Sequence, residues 1–122
     1  VIDGDAHAVF QGRVLVTREA DEADGHQLSK ALLLSDNAEI DQKPALEIFA
    51  DNVKCSHGAA TGSLDKRALF YLRSRGLPES IARQLLVDGF LAEALQEVSY
   101  EDVRIALQAR AAPAQTTRHS RI

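Results

Sequence analysis

Two different periods run through this chain. In "AHAVFQGRVLVTR" the positions alternate, with Ala8, Phe10, Gly12, Val14 and Val16 on one side and Val9, Gln11, Arg13, Leu15 and Thr17 on the other. A period of two predicts a β-strand with one buried face. The stretch "EADEADGHQLSK" is too charged for a core and reads as a connection. Apolar runs follow in "ALLLSDNAEID" and "KPALEIFADNVKCSH", bounded by turn chemistry at Asp36-Asn37, at Pro44 and at Asp51-Asn52. Short strands joined by tight turns rather than by helices predict a solenoid, a sandwich or a barrel. The pattern alone does not choose among the three.

Beyond Gly62 the period becomes helical. In "SLDKRALFYLRSRG", Leu64, Ala68, Leu69 and Leu72 form one stripe, Ser63 or Asp65 supplies a cap, and Gly76 is a stop. A second helix opens at Pro78, with Ile81, Leu85, Phe90, Ala94 and Val98 as its stripe. Ser99 and Asp102 have the spacing of a capping box for a third helix through Val103, Ala106 and Leu107. The tail, with Pro113 and few apolar residues, predicts fraying. The expected organisation is a β segment over 1–62, a helical segment over 63–110 and a flexible tail over 111–122. The chain opens on "VIDGDAHAVFQG" and has no methionine, so it reads as the C-terminal piece of a longer protein.

Composition narrows the class. At 122 residues, 45% hydrophobic and 26% charged, the chain has the make-up of an ordinary globular domain. A formal net charge of -4 offers no surface for nucleic acid. No apolar run approaches the roughly 20 residues a membrane helix needs. A single cysteine forms no internal disulfide, which suits a reducing compartment.

The chemistry-bearing stretch is "DNVKCSHGAATG", which holds that cysteine and one of four histidines. If residues 53–57 are extended, Val53, Cys55 and His57 share a face, and Lys54 and Ser56 share the other. Cys55 and His57 are ligand types for zinc or iron, yet two ligands do not complete a site. The competing reading is a packed thiol beside Val53 and a hydrogen-bonded histidine at a strand end. A thiol- or zinc-dependent hydrolase would need a further carboxylate, with Glu47 and Asp51 nearest in sequence. The acidic group Glu19, Asp21, Glu22 and Asp24 lacks calcium-loop spacing and reads as a solvated loop, and His26 reads as a turn residue. The glycines of "HGAATG" match neither a Walker loop nor a dinucleotide fingerprint.

Taken together, the blocks "KPALEIFADNVKCSHGA" and "ALFYLRSRG" make the region from about Ala8 through Val98 resemble the C-terminal part of the SufB/SufD family of iron–sulfur cluster assembly proteins. It looks like the SufD branch, since the SufB branch has "EHEA" where this chain reads "CSHGAA". The resemblance implies the last coils of a right-handed parallel β-helix followed by a small helical domain, mainly β with α at the C-terminal end. It implies a scaffold subunit rather than an enzyme, paired with a SufB-type subunit through the β-helix. A SufC-type ATPase would dock on the helices around Leu69, Phe70, Leu72, Ile81, Leu85 and Phe90, rimmed by Arg73, Arg75 and Arg83. His57 matches the histidine of the interface cluster site and Cys55 is its motif neighbour. The cysteine that the SufB branch brings from an earlier strand would fall near Ser29 and is missing. The cluster would therefore be transient and shared across the interface, with none held by this segment alone. A homodimer through the β-helix edge, and a bacterial cytoplasm or plastid stroma, complete the expectation, and a purely structural solenoid is the remaining alternative.

Overall fold

The computed structural model describes residues 1–111. Four strands precede three helices: β1 (His7–Val16), β2 (Asp24–Leu33), β3 (Glu39–Ile48), β4 (Lys54–Ser63), α1 (Lys66–Ser74), α2 (Glu79–Leu95) and α3 (Glu101–Ala111). The chain divides into two compact units, Val1–Ser63 and from Leu64 onward. Of the expected tail, Ala111 is the last residue of α3, and residues 112–122 lie outside the described residues.

In the strand unit, consecutive strands never pair. β1 pairs with β3 and β2 with β4, both in parallel, giving two two-stranded sheets. The crossover that parallel pairing demands is a strand of the other sheet instead of a helix. Side chains 30, 32 and 34 residues apart therefore meet: His26 with Ser56, Asn37 with Asp5, and His7 with Asp41. Ile2 continues the stacking on the other side of β2 through a parallel bridge to Leu33.

The alternation predicted for β1 is present. Val16 is buried, Ala8, Gly12 and Val14 are half-buried, and Phe10 lies at the boundary, 37% exposed. The register brings Ile40, Gln42, Pro44 and Leu46 onto the same inward face. From the second sheet come Gly25, Gln27, Ser29, Ala31 and Leu33, in register with Cys55, His57, Ala59, Thr61 and Ser63. One end of this interior is apolar, built on Ile2, Ala31 and Ala38 with Ala8, Leu33 and Ile40 packed against them. Its middle is polar.

That polar middle explains why the charged stretch before Leu32 is a strand and not the connection predicted. Asp24, His26 and Lys30 face solvent, and the inward positions between them are Gly25, Gln27 and Ser29. No apolar signal marks such a strand. Pro44 likewise falls within β3, where a boundary was predicted. Glu39 and Phe49 donate to Ala6 and Val16 at 3.0 and 2.9 Å, so the odd residues of β3 turn their backbone groups toward β1. The even residues turn theirs to the open edge, where a proline costs no ladder bond.

In the helical unit, Asp65 rather than Ser63 caps α1, accepting from the backbone N–H of Arg67 at 2.8 Å and of Ala68 at 3.3 Å. Gly76, at φ +90°, closes the helix in a Schellman motif: Gly76 donates to the carbonyl of Arg73 and Leu77 to that of Leu72. Pro78 stands just ahead of α2, not inside it, and Glu79 lies in the first turn. The buried residues of α2 are Ala82 and Val87, while Ile81 and Leu85 are 49% and 48% exposed. The buried stripe thus lies one or two positions along from the predicted one. In α3 the first helical bond runs from Arg104 to the Tyr100 carbonyl at 3.0 Å, with Glu101 and Asp102 in the first turn, where the helix dipole favours acid.

Two expected outcomes follow for stability. A Cβ on Gly12 would lie 1.9 Å from Gln27 Nε2 and 2.9 Å from Phe10 Cζ, whereas one on Gly25 would meet Cys55 Sγ and Val14 Cγ1 at ordinary contact distances of 3.8 and 3.9 Å. Gly12→Ala should destabilise the strand unit by about 1 kcal/mol through overpacking, and Gly25→Ala should be near neutral; urea unfolding of the two variants separates them. Gly76→Ala should cost about 1–2 kcal/mol, because a Cβ at positive φ meets the following carbonyl, and the loss is read as a lowered midpoint for the helical circular-dichroism signal.

Candidate functional site

β4 is the strand that carries the candidate chemistry. Lys54 donates to the Ala23 carbonyl at 2.9 Å, so the even residues of β4 turn their backbone groups toward β2. The odd ones, Cys55, His57, Ala59, Thr61 and Ser63, turn theirs to the open edge while their side chains lie on the inward face. Cys55 and His57 therefore share a face, as the spacing predicts.

Their surroundings differ. Cys55 is a free, half-buried thiol that sits over Gly25, in the neighbourhood of Val14. His57 is exposed, and its Nδ1 lies 3.2 Å from the carbonyl oxygen of Pro44 in β3. The register sets His57 beside Gln27, and Pro44 beside Gly12. These four positions form one rung across the interior. In the first coil the Gln27 carboxamide occupies the space that a Cβ on Gly12 would need. In the second coil the imidazole reaches the opposite backbone.

A second polar bridge lies alongside. Gln42 Nε2 donates to Thr61 Oγ1 at 2.8 Å and to the Ala60 carbonyl at 3.3 Å. Among the described residues, no donor reaches the buried Oε1 atoms of Gln27 and Gln42. A dry apolar core would not tolerate these groups at this density.

The carboxylates nearest in sequence do not join Cys55 and His57. Glu47 lies on the outward face, paired with Arg13 at 3.2 Å, and Asp51 is exposed in the turn before β4. Among the described residues, no group of three or more His, Cys, Asp or Glu side chains is placed to hold a metal ion. The strand thus offers a thiol and an imidazole without the carboxylate that a hydrolytic site would require. Glu19, Asp21 and Glu22 are exposed, in keeping with a solvated loop, whereas Asp24 of the same acidic group is the first residue of β2.

Sequence reasoning missed a second histidine. His26 is a strand residue on the outward face, bonded through Nδ1 to Ser56 Oγ at 2.6 Å and through Nε2 to Asp24 Oδ1 at 2.8 Å. His7 pairs similarly with Asp41 at 2.9 Å. Each joins residues from different coils or braces one that does, so only the register between coils could reveal them.

Comparison with known proteins agrees with this geometry. Residues 1–90 match the family described as "SUF system FeS cluster assembly, SufBD core domain". An iron–sulfur cluster assembly SufBD family protein of Synechocystis is 49% identical over 98 residues, 80% of this chain and 22% of that protein. The iron–sulfur cluster assembly protein SufD of Escherichia coli is 40% identical over 110 residues, 90% of this chain and 26% of the relative. The chloroplastic protein ABCI7 of Arabidopsis thaliana is 39% identical over 104 residues, 85% of this chain and 22% of the relative. The chain thus spans about a quarter of the length of these relatives or slightly less. Among the described residues no helix is long and apolar enough to cross a membrane. With most of its length matched to the family and relatives at 39–49% identity, this chain belongs to the SufB/SufD family of the SUF system for iron–sulfur cluster assembly.

Proposed function

We propose that this chain is part of a SufD-type scaffold subunit, in which the strand unit forms coils of a right-handed parallel β-helix and the helical unit docks an ATPase. The SufD-named relative supports the branch. The alternating two-sheet path, with every pairing parallel, supports the β-helix. In this reading the cluster is cargo, built transiently and handed on, and the subunit has no turnover of its own.

The observation that carries the reading is the position of His57 at an open strand edge with an incomplete ligand set. Cluster sites take about four protein ligands, mostly thiolates, and this chain has one cysteine. His57 contributes one ligand, Cys55 lies two residues away on the same face, and a SufB-type partner supplies the rest. The edge itself favours such a partner: β4 holds no proline, and its odd residues present unpaired backbone N–H and C=O groups. The same edge permits a homodimer when the SufB-type subunit is absent. A bacterial cytoplasm or a plastid stroma is the compartment that the named relatives suggest.

For the ATPase, the exposed apolar residues of the helical unit supply the surface. Phe70 is 75% exposed, and Ile81 and Leu85 are about half exposed, whereas Leu69, Leu72 and Phe90 are half-buried. Arg73 pairs with Glu79 at 3.2 Å, and Arg75 lies over the Tyr71 ring at 5.1 Å, a polar rim beside that apolar centre.

Two measurements test these assignments. Anaerobic reconstitution of the full-length protein with its SufB-type and SufC-type partners should give several-fold less cluster for His57→Ala than for wild type, read from iron content and visible absorption on equal amounts of intact complex. Unchanged cluster content would make the Cys55–His57 stretch a folding element and sink the ligand role. Phe70→Asp combined with Ile81→Asp should weaken binding of the SufC-type ATPase at least about tenfold in calorimetry, as loss of central apolar anchors does, while pairing with the SufB-type subunit is retained.

A further inference from the structure

We infer that the Pro44 carbonyl is a positioning group that holds His57 as the Nδ1–H tautomer and leaves Nε2 as the atom that binds iron, an inference that rests on the ligand role proposed for His57. A carbonyl oxygen only accepts, so the 3.2 Å contact between His57 Nδ1 and the Pro44 oxygen requires the proton on Nδ1. The neutral ring then has its lone pair on Nε2. Ligating histidines commonly donate their other N–H to a backbone carbonyl, which fixes both tautomer and ring orientation.

The fold makes this carbonyl available. Pro44 is an even residue of β3, so its backbone faces the open edge and not β1. Its oxygen therefore has no ladder partner within the sheet. The register that puts Pro44 beside Gly12 and His57 beside Gln27 keeps the two ends of the contact on one rung. Two features of the sequence that look unrelated, a proline in one strand and a histidine in the next, thus meet at one nitrogen.

The first readout needs no cluster. Long-range nitrogen–proton correlation spectra of the full-length protein labelled with ¹⁵N-histidine, assigned with His57→Gln, should show the Nδ1–H to Nε2–H ratio of His57 raised about fivefold over that in the urea-unfolded chain, the value of one net hydrogen bond. A ratio that is unchanged, or moved toward Nε2–H, overturns the inference. Pro44→Ala keeps the carbonyl and should leave the ratio raised; its collapse in a folded variant would assign the effect to the proline ring instead. In the reconstituted complex, Nε2-methylhistidine at position 57 should lose the cluster, because the methyl blocks Nε2 and leaves Nδ1 without a proton to donate. Retention of the cluster by that variant overturns the assignment of the ligand atom. The two readings fail separately: full cluster content in His57→Ala removes the ligand role, whereas the tautomer ratio tests the Pro44 contact by itself.

Discussion

Parallel pairing between strands two apart in sequence is the constraint on which the strand unit depends. Because β1 pairs with β3 and β2 with β4, every inward side chain is stacked on a counterpart one coil away and faces the opposite sheet across a narrow interior. Residue size at each rung is then set by what stands across from it. Gly12 leaves room for the Gln27 amide, whereas the space at Gly25 would take a Cβ at ordinary contact distance from Cys55 and Val14. A one-residue slip would turn Gln27, Gln42 and His57 outward and bring Lys30, Asp41 and Lys54 in, so the register is strongly held.

The same constraint sets the surroundings of His57. A polar interior is costly when closed, and here the carboxamide oxygens of Gln27 and Gln42 are buried with no donor among the described residues. In β4 the inward face is more open, and His57 is exposed there along with Ala59, Thr61 and Ser63. The imidazole is braced by one carbonyl, with no complete ligand set around it among the described residues. The outward face does different work. His7–Asp41, Arg13–Glu47 and His26–Ser56 tie one coil to the next through exposed pairs, each individually weak in water.

The helical unit follows other rules. Its ends are set locally, by the Asp65 cap and the Gly76 stop, and its small buried set, Ala82 and Val87, leaves much apolar surface exposed.

By itself the sequence determined the change of period near Gly62, the strand alternation of β1, the Gly76 stop of α1, the shared face of Cys55 and His57, and the family. These depend on neighbours within a few residues, or on blocks long enough to be specific. Tertiary structure alone decided that the charged stretch from Asp24 is a strand, that Pro44 lies inside one, that α2 buries Ala82 and Val87, and that Glu47 faces away from Cys55 and His57. It also set Gln27 beside His57 and the Pro44 carbonyl against the imidazole. The reason is physical: parallel coils join residues some thirty positions apart, and no local period encodes which residues will share a rung.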